Sequence, residues 1–194
     1  YTFRGGIRTI VWTDTLQTLC MLTAVVCSIF AIGNALEFSL SDMMTAVHNA
    51  GYDKIFFFEG GWQDPNNFFK QFFAGMLICI VMTGLDQDMM QKNLSCRTLK
   101  ESQKNMISFS FVLIFVNLVF LFLGEMLYVY AENLGITIPE KADQLFPTIA
   151  INYLSPAIGV VFVLGLIAAA YSSADSALTS LTTSFCVDFL GFEK

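Results

Sequence analysis

Four apolar segments dominate the chain: residues 9–33, 68–85, 106–130 and 156–190. Each approaches or exceeds the ~20 residues that an α-helix needs to cross a bilayer. In hydrocarbon the backbone has no water to bond with, so runs of this length fold as spanning helices that satisfy their own N–H and C=O groups. The composition agrees: 55% of the residues are hydrophobic and 13% are charged, against roughly 25% charged in soluble domains. The expected fold class is an all-α integral membrane protein with four transmembrane helices and short amphipathic outer helices. The first apolar run is too long for the core of a secretory signal. So abrupt a start and stop reads as a piece of a longer protein.

Three polar connections separate the spans, and they differ in charge. Residues 34–67 hold Glu37, Asp42, Asp53, Glu59 and Asp64 against Lys54 alone, and residues 131–155 hold Glu132, Glu140 and Asp143 against Lys141. Residues 86–105 instead carry Lys92, Arg97, Lys100 and Lys104. Because Lys and Arg are retained on the cytoplasmic side, loop 86–105 is expected inside and the other two outside. Arg4, Arg8 and Lys194 then fall inside as well. A net charge of −6 with no basic patch argues against a nucleic-acid partner. Cys20, Cys27, Cys79, Cys96 and Cys186 lack metal-type spacing and are expected as free thiols.

The outer connections carry structure of their own. Residues 41–50 (SDMMTAVHNA) read as a short amphipathic helix capped by Ser41, with Met44 and Val47 on one face and Gly51 as its stop. His48 on that helix reads as a solvated side chain. Residues 142–154 suggest a second such helix, opened by Pro147.

Polar side chains inside the spans carry the functional signal. Thr13, Asp14, Gln17 and Thr18 share one stripe of the first span. A carboxylate there costs about 2.5–3.5 kcal/mol on insertion scales and is functional by default; the structural alternative is pairing with Arg8 or Arg4. On the fourth span Gly165, Ala169, Ser172, Ser173, Ser176 and Ser180 recur at helical spacing, with Asp175 and Thr179 one step around. Small residues also serve close helix packing, but packing leaves Asp175 unexplained. Hydroxyls, carbonyls and a carboxylate are the oxygen donors that a hard cation prefers, which points to Na+ first and H+ second.

The second span ends in TGLDQDMMQKNLSCR, residues 83–97. Gly84 beside Asp86, Gln87 and Asp88 reads equally as a broken helix lining a cavity or as interfacial residues leading into the basic loop. Glu125 is expected near the outer interface, with Tyr128 and Tyr130 in an aromatic belt.

Three blocks carry a resemblance. GGIRTIVWTDTLQT (5–18), TGLDQDMMQKNLS (83–95) and AAAYSSADSALTSLTTSFCVDF (168–189) resemble, in order and spacing, blocks of the sodium/solute symporter family. That family transports sugars, sialic acid, proline, pantothenate, iodide and monocarboxylates with Na+. The resemblance implies core helices five to eight of a ten-helix, LeuT-like inverted repeat, about two fifths of a member. It implies that the Ala169 carbonyl and the Ser172 and Ser173 hydroxyls belong to the common sodium site, whose other ligands come from the first core helix. It also implies that Asp14 joins Ser172, Asp175 and Ser176 in a second sodium site. Asp175 departs from the hydroxyl residue that some two-sodium members have there. Two carboxylates around one cation repel each other, so a shared proton stays open. The sugar-contacting positions of the sugar transporters fall on Met82 and Leu113, so a close copy of the sugar site is not implied. Met82, Thr83 and Asp86 are the candidates for lining a solute cavity.

The expected function is sodium-coupled symport of a small organic solute, a sugar, sialic acid or a carboxylate-like molecule, across a plasma or bacterial inner membrane. The partners implied are that solute, the lipid bilayer and the remaining helices of the full-length transporter. One alternative is proton coupling. Others are a membrane-embedded hydrolase using Asp14 and Asp175 as an acid/base pair, and a sensor or assembly subunit whose polar stripes only pack helices.

Overall fold

The computed structural model describes residues 2–52, 54 and 56–192 of the chain. Asp53, Lys194 and the side chains of Arg4 and Arg8 lie outside the described residues. Seven α-helices follow one another among the described residues: α1 Thr2–Ala35, α2 Leu40–Asn49, α3 Phe68–Gly84, α4 Gln87–Leu94, α5 Leu99–Leu134, α6 Leu145–Asn152 and α7 Pro156–Ser184. A π-helical turn, Phe185–Phe189, prolongs α7. Three helices are long and apolar enough to cross a membrane, and α3 with α4 makes a fourth if that bent pair is one span. All five cysteines are free thiols.

Hydroxyls are tolerated inside α1 because they bond backward along the helix. Thr15, Thr23 and Ser28 donate to the carbonyls of Val11, Leu19 and Ala24 at 2.7, 2.7 and 2.8 Å, which satisfies each hydroxyl without a partner helix. The C-terminal end of α1 closes with Phe38 N–H on the Gly33 carbonyl and Glu37 N–H on that of Asn34. This Schellman closure puts Glu37 in the left-handed region at φ 57°, a place usually given to glycine. Helix α5 ends by the same pattern, with Gly135 at φ 62° and Ile136 N–H on the Ala131 carbonyl.

The cap of α2 is Ser39, two residues before the Ser41 expected from sequence. Its hydroxyl accepts from Asp42 N–H at 3.3 Å while the Asp42 carboxylate accepts from Ser39 N–H at 2.9 Å, a reciprocal capping box. These bonds, with one from the Ser39 hydroxyl at 2.6 Å, hold the Asp42 carboxyl below its ordinary range. The buried face is Met43 and Val47, whereas Met44 is exposed. Met43 lies directly over Gly33 of α1, where a Cβ would collide with its side chain. The α2 helix therefore docks on the end of α1 and on α5 rather than lying free.

The core forms at this end, from Val25, Ile29 and Ile32 of α1, Met43 and Val47 of α2, Leu123, Met126, Leu127, Val129, Tyr130 and Ala131 of α5, and Leu145 and Ile149 of α6. Tyr130 is part of it, with its hydroxyl donating to the Tyr153 carbonyl at 3.3 Å. It therefore faces the protein core. Tyr128 packs against Tyr52 with the rings tilted and their centroids 5.7 Å apart, and Tyr52 donates to Glu132 at 2.6 Å. That bond to an anionic acceptor pushes the Tyr52 phenol above its ordinary value. In α6, Pro147 sits in the first turn, after a 3-10 turn over Ala142–Gln144.

Helix α3 starts at Asn67, whose side chain accepts from the N–H groups of Phe69 and Lys70. It carries no buried residue. Rings of Phe56, Phe58, Phe68, Phe69 and Phe72 gather around its first turns. Between α3 and α4 the chain bends by 60°. There Asp86 caps α4, accepting from Asp88 N–H at 2.8 Å and Met89 N–H at 3.4 Å. The helix is thus broken between Gly84 and Gln87.

The most extensive helix contact among the described residues joins α1 to α7, which run antiparallel. At Gly165 a Cβ would lie 2.9 Å from the Ala24 Cβ, so the small-residue stripe of α7 begins as a packing surface. Further along the same face the contact becomes polar.

Candidate functional site

Beyond the Gly165 crossing, α7 presents Ser172 and then Ser176 one turn later. The Ser172 hydroxyl donates to Asp14 Oδ1 on α1 at 2.9 Å. Asp14 is thereby turned toward the helix interface, 19% exposed. Its other oxygen, Oδ2, meets the ammonium of Lys92 at 2.9 Å. Lys92 Nζ also lies 2.8 Å from Asp88 Oδ2 and 3.4 Å from Ser176 Oγ. An ammonium has three N–H donors, and three oxygens receive them here. The cluster joins α1, α4 and α7.

Lys92 was expected only as one of the charges of a cytoplasmic loop. The bend at residues 85–86 folds α4 back so that Lys92 reaches Asp14. One sequence signal points to part of this: Asp88 stands four residues before Lys92, the spacing of an intrahelical ion pair. Nothing in the spacing relates Lys92 to Asp14, 78 positions earlier. Three residues after Asp14, Gln17 Oε1 on α1 is buried without a hydrogen-bond partner, as is Gln91 Nε2 of α4, the residue before Lys92. A groove of about 510 Å³ opens beside it along Val11, Asp14, Thr15, Thr18 and Lys92.

The other expected site residues are placed as follows. Ser173 donates to the Ala169 carbonyl at 3.2 Å on an exposed face of α7. Those two oxygens thus stand side by side, while Ser172 faces α1. Asp175 is half-buried on α7, in the turn between Ser172 and Ser176. Met82 and Thr83 lie in the last turn of α3, Met82 exposed and Thr83 half-buried. Asp86 is engaged as the α4 cap. Leu113 is exposed on α5. Among the described residues no group of three or more His, Cys, Asp or Glu is placed to hold a metal ion. The polar contacts present are those of hydroxyls, carbonyls and an ion-pair network.

Comparison with known proteins decides the family. A model described as "Sodium:solute symporter family" matches residues 1–191. The chain belongs to the sodium:solute symporter family. Among symporters of this family it is similar to the sodium/sialic acid symporter SiaT of Proteus mirabilis, 24% identical over 192 residues. That match covers 97% of this chain and 38% of SiaT. It is likewise similar to the sodium/sialic acid symporter NanT of Aliivibrio fischeri, 24% identical over 202 residues, covering 100% of this chain and 38% of NanT. The chain thus spans well under half the length of these symporters. No solved structure gives a significant match.

Proposed function

We propose that this chain is the central part of a sodium-coupled symporter carrying a small organic solute across a bacterial inner membrane by alternating access. The observation that carries the proposal is the Asp14–Ser172 hydrogen bond, which brings together the two helices assigned to cation binding in a chain matched to this family along 191 residues. In the proposal Ala169, Ser172 and Ser173 contribute to the common sodium site, completed by a helix outside the chain. Asp14, Asp175 and Ser176 contribute to a second. Met82, Thr83 and Asp86 belong to the solute-facing end of the broken span, in a LeuT-like inverted repeat.

Each Na+ entering down a potential of about 100 mV supplies roughly 2.3 kcal/mol of electrical drive, and binding to the site favours the solute-ready conformation. Because both similar symporters are named for sialic acid, an acidic sugar is the first solute to test. Asp14 is an ion-pair partner here, which supports transport without covalent chemistry over an acid/base pair with Asp175.

The test is uptake of radiolabelled sialic acid, neutral sugars and monocarboxylates into vesicles bearing the intact protein, with and without an inward Na+ gradient. Accumulation of one of them that requires Na+ is the expected result. Accumulation driven equally well by a proton gradient in choline medium would replace Na+ with H+ as the coupling ion.

A further inference from the structure

The ammonium of Lys92 sits against Asp14 and Ser176, two of the groups assigned to the second cation. We propose that Lys92 and a Na+ ion are alternative partners of Asp14, and that Na+ entry moves the Lys92 ammonium onto Asp88. This deepens the symport reading and rests on it for the identity of the ion.

Charge is the first support. Asp14 and Asp88 are both within 2.9 Å of the one ammonium, so among the described residues these two carboxylates share one ammonium. A further cation beside them in this partly desolvated place is attracted, because Coulomb energies grow as the surroundings become less like water. With Na+ present each carboxylate has a cation of its own: Asp14 the ion, Asp88 the lysine.

Geometry supplies the second. Asp88 lies on the same helix as Lys92 at four residues' spacing, so the lysine keeps that partner wherever it swings. Only the bonds to Asp14 and Ser176 break. A lysine is a compact charge on a flexible stem, suited to such a move, as a rigid guanidinium fork is not. Its side chain is 29% exposed and lines the open groove, which gives it somewhere to go.

The third is the oxygen inventory. Asp14 Oδ2 and Ser176 Oγ are released from the ammonium, and Gln17 Oε1, three residues after Asp14 on α1, is buried without a hydrogen-bond partner. Hard cations take oxygens of these kinds.

The experiment follows Na+ binding and transport separately in the intact protein. Purified protein is titrated with NaCl against choline chloride at constant ionic strength, which fixes screening, and thermal stabilisation is read. Na+-dependent uptake is measured in parallel. Lys92→Gln removes the competitor and is expected to lower the half-saturating Na+ concentration about fivefold. Asp88→Asn leaves the lysine with Asp14 alone and is expected to raise it by a similar factor.

A salt bridge that merely held helices together would move both variants in one direction, so same-sign shifts overturn the proposal. Where a variant fails to fold, the wild-type protein is modified with an amine-acylating reagent and Lys92 is followed by mass spectrometry. Na+ is expected to raise its reactivity over choline, and equal reactivity overturns the proposal. Na+ binding with opposite shifts but no Na+-driven uptake would refute the symport reading and leave the exchange standing. Absence of Na+ binding would refute the exchange.

Discussion

Ser172 on α7 gives its hydroxyl proton to Asp14 Oδ1 on α1, 2.9 Å away, across the antiparallel contact that Gly165 opens. The bond orients the carboxylate and leaves Oδ2 for a cation. In Ser172→Ala that orientation is lost. Hydrogen bonds to charged groups are worth roughly 1.5–3 kcal/mol, so the Na+ requirement for uptake should rise by about tenfold or more. Na+ activation curves of the intact transporter measure this. Ser173→Ala, which removes the hydroxyl beside the Ala169 carbonyl, should also weaken Na+ activation.

The Gly165 crossing has no room for a side chain, because the Cβ position falls 2.9 Å from Ala24 Cβ. Gly165→Val should separate α1 from α7 and destabilise the protein by about 1–3 kcal/mol, the usual cost of overpacking. Ala24→Gly introduced with it should recover part of the loss. Thermal unfolding in detergent of the single and double variants reads the effect, and a stable Gly165→Val would contradict the contact.

The left-handed residue closing α1 carries a side chain, whereas its counterpart closing α5 is glycine. A left-handed conformation costs an L-residue about 1–2 kcal/mol. Glu37→Gly should therefore stabilise, by somewhat less than this because glycine loses more chain entropy. Gly135→Ala should destabilise by a similar amount. Melting midpoints of the two variants should move in opposite directions.

Acid should undo the α2 cap. Asp42 is bound in its charged form by Ser39, which lowers its carboxyl below the ordinary 3.8. The stabilisation is thus fully present above that ordinary value and is lost as pH falls through the lowered one. Hydrogen exchange of α2 amides should accelerate below about pH 4 relative to those of α6, and Ser39→Ala should abolish the difference. An α2 equally protected at all acidic values would contradict the capping box.

Much of this molecule is written in its hydropathy. The long apolar helices were legible because backbone in hydrocarbon has few solutions, and that Asp14 is partnered was legible because a carboxylate among apolar residues must find a partner. The helix ends were less so. Helices α1 and α5 run past the apolar limits at 33 and 130 to Ala35 and Leu134, since their terminal polar residues stay helical until the Schellman closures stop them. The α2 phase slipped by one residue from Met44 to Met43, because a ten-residue helix offers too few turns to fix which methionine faces inward. Lys92 was invisible as a site residue, because counting charges in a loop says which side of the membrane it occupies and nothing about the direction a bent helix takes. The bend itself depended on Asp86 choosing to cap.

Helix α3 buries none of its side chains. Within this chain it is a strut pinned at two points, by the phenyl rings gathered at its head and by the elbow leading to α4 at its foot. Freeing Lys92 from Asp14 loosens the lower pin. The phenyl rings at the opposite end of α3 are joined to the cluster through this one helix, which makes Phe56 and Phe58 a natural place to put a reporter of events at the ion.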